Sequence, residues 1–147
     1  MSIQHIGLAS VKPILLAART IAVLGVSANP DKPAHYVPLY AAQHGYRVIP
    51  VNPLLAGQTL FSEAVRSSLA DVGEAIDIVD VFRRPELLPE HLGDILAMNP
   101  RPKLVWLQLG IRNDDFARQL LEAGIEVVQD RCLLADHRAL GDRKSVV

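Results

Sequence analysis

IAVLGVSANPDKPAHY, residues 21–36, opens with four apolar positions and a glycine, then passes into turn chemistry before anything that can begin a helix. An apolar run ending in Gly, followed by Asn-Pro-Asp and a later helix start, is what a buried parallel strand leading into a crossover looks like. Four further runs carry the same strand composition: RVIPV (47–51), IDIVDVF (76–82), KLVWLQL (103–109) and IEVVQD (125–130). Between the runs lie stretches with helical spacing: YVPLYAAQHG (36–45), SEAVRSSLADV (62–72), PELLPEHLGDILAM (85–98) and NDDFARQLLEAG (113–124). Asn113 is placed to cap the last of these, and Gly45 and Gly124 fall where a left-handed residue closes a helix. Leu88, Leu92, Ile95 and Leu96 share one face, as a helix lying on a sheet requires.

Strands alternating with helices and nearly continuous in hydrophobicity predict a doubly wound, Rossmann-like α/β fold: five parallel strands with helices on both faces. In such a sheet ligands bind beyond the carboxyl ends of the strands, where the winding reverses. That singles out the loops after residues 26, 51, 82 and 109. Residues 1–140 read as one domain, with an extension and helix at 1–19 that Ser10 caps, and GDRKSVV (141–147) as a mobile polar tail.

Composition narrows the function. The 147 residues hold 15 basic and 16 acidic side chains, so no overall field draws the chain to nucleic acid or anionic lipid, and any anion site must be local. A single cysteine, Cys132, excludes an internal disulfide and suits a reducing compartment, and no apolar run is long enough to span a bilayer. A cytoplasmic protein is expected. His5, His35, His44, His91 and His137 are scattered without metal-ligand spacing, so no metal centre is expected. Apolar faces on the outer helices permit a homodimer or an unidentified protein partner.

The loop after the first strand is the first candidate site. Gly25 allows close backbone approach, Val26 and Ser27 follow it, and the amides from 27 to 36, ending at a helix start near His35 or Tyr36, offer donors to a phosphate. Lys32 adds a cation. The dinucleotide fingerprint G-x-G-x-x-G is missing, because no glycine follows Gly25 until Gly45. Where a dinucleotide site places an acid for the ribose, the second strand ends in Asn52 and Pro53. No Walker loop occurs. After the third strand, Phe82, Arg83 and Arg84 supply an aromatic ring and two guanidiniums to the same crevice.

Taken together, IAVLGVSANPDKPAHYV, GYRVIPVNPLLAGQTLF, SLADVGEAIDIVDVFRRPE, KLVWLQLGIRND and GIEVVQDRC resemble the small stand-alone CoA-binding proteins. Their single domain is similar to the N-terminal domain of the succinyl-CoA synthetase α subunit, and the resemblance covers about residues 15–132. It implies that Gly25 and Ser27 meet the phosphates of coenzyme A, that Lys32 pairs with them, and that Asn52 and Pro53 wall the adenosine. It further implies that Phe82, Arg83 and Arg84 close over the nucleotide and that Gln108 and Gly110 face the pantetheine arm. The chain departs from the family's pattern after Cys132, in LLADHRAL. The synthetase works through a phosphorylated histidine in a further domain for which this length has no room, so the resemblance implies binding of CoA or an acyl-CoA without catalysis, as sensor or carrier. Two other readings stay open: an acyl-transfer or thiol enzyme using Cys132 or His35, and an NAD(P)-binding regulator.

Overall fold

Thr20–Leu24 forms β1 at the centre of the molecule, with every residue after Thr20 buried, so both of its faces must be covered. In the computed structural model, which describes residues 8–145, that covering comes from helices on each side of a five-stranded sheet. β2 (Arg47–Val51) lies on one side of β1 and β5 (Ile78–Val81) on the other, followed by β6 (Leu104–Leu107) and β7 (Glu126–Val128). All pairings are parallel, and in register Leu24 stands between Val51 and Val81, with Val81 beside Leu107. A short antiparallel hairpin, β3 (Thr59–Leu60) and β4 (Glu63–Ala64), forms a separate two-stranded sheet packed beside β2.

The winding reverses at β1. Its chain leaves to β2 on one side, while the later strands are laid down on the other, so the switch point lies between β1 and β5. Helices α1 (Leu8–Ala17), α2 (Pro33–Gln43) and α5 (Leu133–Ser145) cover one face through Val11, Leu15, Val37, Ala41, Leu133 and Leu140. Helices α3 (Pro89–Leu96) and α4 (Asp114–Glu122) cover the other through Leu88, Ile95, Phe116 and Leu120. Asn113 caps α4 as expected, its Oδ1 accepting from the Phe116 amide at 3.0 Å. Among the described residues no helix is long and apolar enough to cross a membrane.

Several expectations are corrected. Residues 62–72 form no helix: Phe61 and Ser62 both have positive φ, turning the chain into the hairpin, and Arg66 then bridges Val51 as an extension of the sheet edge. The sheet's open backbone groups outcompete the helical spacing there. The segment ends instead in a 3-10 turn at Leu69–Asp71. Ser10 lies within α1 rather than capping it. The expected polar tail from 141 is helical as far as Ser145, because α5 docks through Leu133 and Leu140 and runs on. Residues 1–7, with His5, and 146–147 lie outside the described residues.

Candidate functional site

At the carboxyl edge of the sheet the ladder closes as the chain leaves it. The Gly25 amide donates to Val51 O at 2.9 Å and the Phe82 amide to Leu24 O at 2.9 Å, so three loops depart from neighbouring points. Gly25 has φ +81°, and a β-carbon there would stand 2.3 Å from Phe82 O. Glycine is needed at this position because the β5 loop is already in contact with it. Asn52 ties the β2 loop to the β1 loop: its Nδ2 donates to Val26 O at 2.9 Å, while its Oδ1 caps the turn Pro53–Leu55 by accepting from Leu54 N.

The β1–α2 loop is more self-contained than its sequence suggests. Ser27 Oγ accepts from the Asn29 amide, Asn29 Oδ1 from the Asp31 amide, and Ala34 O from the Ser27 amide. The amides of Lys32, His35 and Tyr36 are also committed to neighbouring carbonyls. The expectation of a run of free donors from 27 to 36 is therefore wrong, because the Asn-Pro-Asp turn satisfies most of its own backbone. Helix α2 begins at Pro33, two residues before the expected start, with Lys32 at its N-cap and no side-chain cap. His35 does not face the crevice: its Nδ1 is 2.7 Å from Ser27 O and its ring packs 5.1 Å from that of Phe61.

The remaining residues singled out in the sequence converge on adjoining clefts. One, of about 450 Å³, is lined by Lys32, Tyr36, Phe82, Arg83, Arg84, Gln108 and Gly110, and also by Leu109, Ile111 and Cys132. A second, of about 360 Å³, lies over Gly25, Val26, Ser27, Lys32 and Asn52 and takes in Leu54. A third and smaller one, of about 190 Å³, holds Gly25, Asn52, Pro53 and Arg83 with Ser67, Ser68 and His91. The first two share Lys32 and Ala34, and the third joins the first through Arg83.

Charge and apolar surface are distributed unequally among them. Lys32 and Arg84 are exposed and have no ion-pair partner among the described residues. Arg83 is held, its Nε donating to His91 Nε2 at 3.2 Å, which requires that nitrogen of His91 to be unprotonated. Burial, and then the charge of Arg83, keep His91 below the usual imidazole range. Leu54 is 88% exposed, Leu109 71% and Tyr36 44%, and all three stand on these clefts. Sequence reasoning missed Leu54 and Leu109, since a single exposed leucine has no periodic signature.

Beneath the largest cleft runs a buried polar chain. Gln108 Nε2 donates to Asp80 Oδ1 at 2.6 Å, and Gln108 Oε1 accepts from the Leu133 amide at 3.4 Å, where α5 begins. Asp80 is 1% exposed, and burial pushes its carboxyl up to about 7 against the opposing hydrogen bonds from Gln108 and the Val81 amide. The loops beside it are fastened to each other, Asp130 Oδ1 accepting from the Gly110 amide at 2.6 Å and Trp106 Nε1 donating to Arg131 O at 2.8 Å. Trp106 is core, as expected. His44 and His137, scattered in sequence, meet around Tyr40 away from these clefts, their rings 5.9 Å apart.

Comparison with known proteins places this edge in context. The sequence model described as CoA binding domain matches residues 19–138. A Bacillus subtilis protein, named only as uncharacterized protein YneT, is 37% identical over 134 residues, covering 91% of this chain and 96% of its own. A solved structure from Thermus thermophilus, 50% identical, superposes with a TM-score of 0.87 over 92% of this chain and 99% of that one. A hypothetical protein from Pyrococcus horikoshii, 29% identical, gives a TM-score of 0.85 over 95% of this chain and 96% of that one.

Proposed function

The chain belongs to the CoA-binding domain family, and from that premise we propose that its open sheet edge binds coenzyme A or an acyl-CoA in the cytoplasm, as a sensor or carrier, without chemistry of its own. The observation that carries the reading is the set of adjoining clefts at the switch point, where exposed Lys32 and Arg84 stand among exposed Leu54, Leu109 and Tyr36. The residues present fit the ligand. Lys32 and Arg84 supply charge for its phosphates, and the uncapped first turn of α2 adds the positive end of a helix dipole. Leu54 and the Asn52-Pro53 corner offer an apolar wall for the base, with Asn52 fixed at both ends of its amide. Gln108 and Gly110 line the largest cleft, on the β6 side, where the sulfur end of the thiol arm and any group on it would lie.

Absence of chemistry is part of the proposal, and three placements support it. His35 is turned onto Ser27 O and Phe61. Asp80 is buried and engaged with Gln108. Cys132 Sγ has no hydrogen-bond partner among the described residues to draw off its proton. The NAD(P) reading lacks both its acid after β2 and its second and third glycines.

Calorimetric titration of the ligand-stripped protein with CoA, dephospho-CoA, NAD and NADP tests this. CoA is expected to bind at micromolar concentration, with both dinucleotides at least tenfold weaker. Lys32→Ala and Arg84→Ala should each weaken CoA roughly fivefold, a loss of ~1 kcal/mol. A loss larger for CoA than for dephospho-CoA assigns the cation to the 3′-phosphate, and equal losses assign it to the pyrophosphate. NAD binding with no binding of CoA overturns the proposal.

A further inference from the structure

The largest cleft differs from its neighbours in what it offers a ligand. Its wall is built from Pro33, Tyr36, Phe82, Pro85, Leu109 and Ile111, so that most of it is hydrocarbon. Its cations, Lys32, Arg83 and Arg84, all come from the β1 and β5 loops, and Arg83 is drawn toward His91. Gln108, the buried polar side chain, has each end of its amide committed, one to Asp80 and the other to the first amide of α5. A chain of amides laid along such a wall would leave polar groups poorly matched, whereas an alkyl chain would not. Leu109 at 71% exposure and Tyr36 at 44% are apolar surface left in water, which an alkyl chain would cover.

The cleft is also continuous with the phosphate end of the site. It shares Lys32 and Ala34 with the cleft over Gly25–Ser27, and Arg83 with the polar cleft at Asn52. A ligand anchored by its phosphates over β1 and β2 can reach across β5 to β6 without leaving the crevice. Its volume of about 450 Å³ lies within the range of small-ligand pockets.

We infer that this cleft is an acyl subsite, selecting CoA thioesters of uncharged short to medium alkyl chains over free CoA. The inference rests on the proposed CoA reading and names the ligand class within it. Each buried methylene contributes about 0.8 kcal/mol, a factor of roughly four.

Titration of the purified, ligand-stripped wild type with CoA, acetyl-, butyryl-, hexanoyl- and succinyl-CoA decides it. Affinity should climb from CoA to hexanoyl-CoA by at least tenfold, with a heat-capacity change that grows more negative along the series. Leu109→Asn, a change at a solvent-exposed position, should cut the hexanoyl-CoA to CoA affinity ratio at least threefold. Equal affinities across the series overturn the acyl subsite and leave the CoA reading standing. Tighter binding of succinyl-CoA than of butyryl-CoA also overturns it, since a terminal carboxylate would then be the preferred end. No binding by any member overturns both.

Discussion

The two edges of the same sheet are finished in opposite ways. At the amino edge, Asp77 accepts hydrogen bonds from the amides of Arg19 at 2.8 Å and Thr20 at 3.1 Å and pairs with Lys103 at 3.3 Å. Beside it, Arg47 pairs with Glu63 and with Glu74. There Asp77, Lys103, Arg47, Glu63 and Glu74 are paired with one another, and the Arg19 and Thr20 amides are used. At the carboxyl edge, Lys32 and Arg84 face water with no ion-pair partner among the described residues, and leucines stand exposed at Leu54 and Leu109. Two aspartates three residues apart, Asp77 just before β5 and Asp80 within it, show the same contrast. Partial burial raises Asp77, but the amides of Arg19 and Thr20 and the Lys103 ammonium outweigh it and hold the carboxyl below its usual range. Asp80, without a cation, is pushed up instead. One edge of the sheet is completed by its own side chains, and the other is left in a state that a phosphorylated, partly apolar ligand would complete.

The largest effect should come from collapsing the open edge itself. Gly25→Ala combines a positive φ of +81° with a β-carbon 2.3 Å from Phe82 O, so the β1 and β5 loops must separate. Left-handed strain and the forced backbone shift together should cost about 4 kcal/mol. Gly110→Ala is the matched comparison: φ is +85°, but nothing lies within 4 Å, so the strain alone remains, about 1 kcal/mol. Urea unfolding of the two variants measures both. Equal losses would mean that the close approach at Gly25 has no energetic consequence.

A second test separates the aspartates by pH. Folding raises the Asp80 carboxyl to about 7. The folded chain therefore holds this proton more tightly than the unfolded one does. The resulting stability is fully present below about pH 4 and is lost as pH rises toward 7. Over that window the wild type should lose of order 3 kcal/mol relative to Asp80→Asn, which carries no titrating group there. Chemical denaturation at pH 4, 5.5 and 7.5 reads the difference. Parallel stability profiles for the two proteins would place the charge of Asp80 in contact with water.

How much of this contrast is written in the sequence depends on whether the cause is local. The five apolar runs announce the strands because a sheet covered on both faces needs hydrocarbon at nearly every position, and β2 falls where it was expected, at 47–51. Gly25, Asn52, Arg83 and Arg84 were legible as residues lining the clefts of the carboxyl edge, because strand ends at a switch point meet there whatever the loops contain. Residues 62–72 misled because their spacing suits a helix, while the decisive partner is the edge of β2, at Val51. His35 misled for a similar reason: Ser27 O and Phe61 claim its ring, and neither contact has a sequence signature. Asp80 stands out as a charge within an apolar run, but its partner Gln108 is set by the register of two strands 28 residues apart. Helix α5 went unread because it follows the last strand, where no alternation remained to predict it.

A smaller effect than that at Gly25 or Asp80 tests the closed edge. Asp77→Ala leaves the Arg19 and Thr20 amides and the Lys103 ammonium without their carboxylate. Because the site is partly open to water, solvent replaces much of what is lost, and the expected cost is about 1.5 kcal/mol. That part of Asp77's stabilisation which comes from its lowered carboxyl is present above about pH 4 and disappears as pH falls further, opposite in sign to Asp80. The wild type and Asp77→Ala should therefore converge in stability on acidification from pH 7 to pH 3, as urea unfolding would show. Affinity for CoA should be unchanged at neutral pH, because the carboxylate lies at the end of β5 remote from the clefts. A variant that loses stability and CoA affinity together would show that the two edges are coupled through β5, and the division between a self-completed edge and a ligand-completed one would fail.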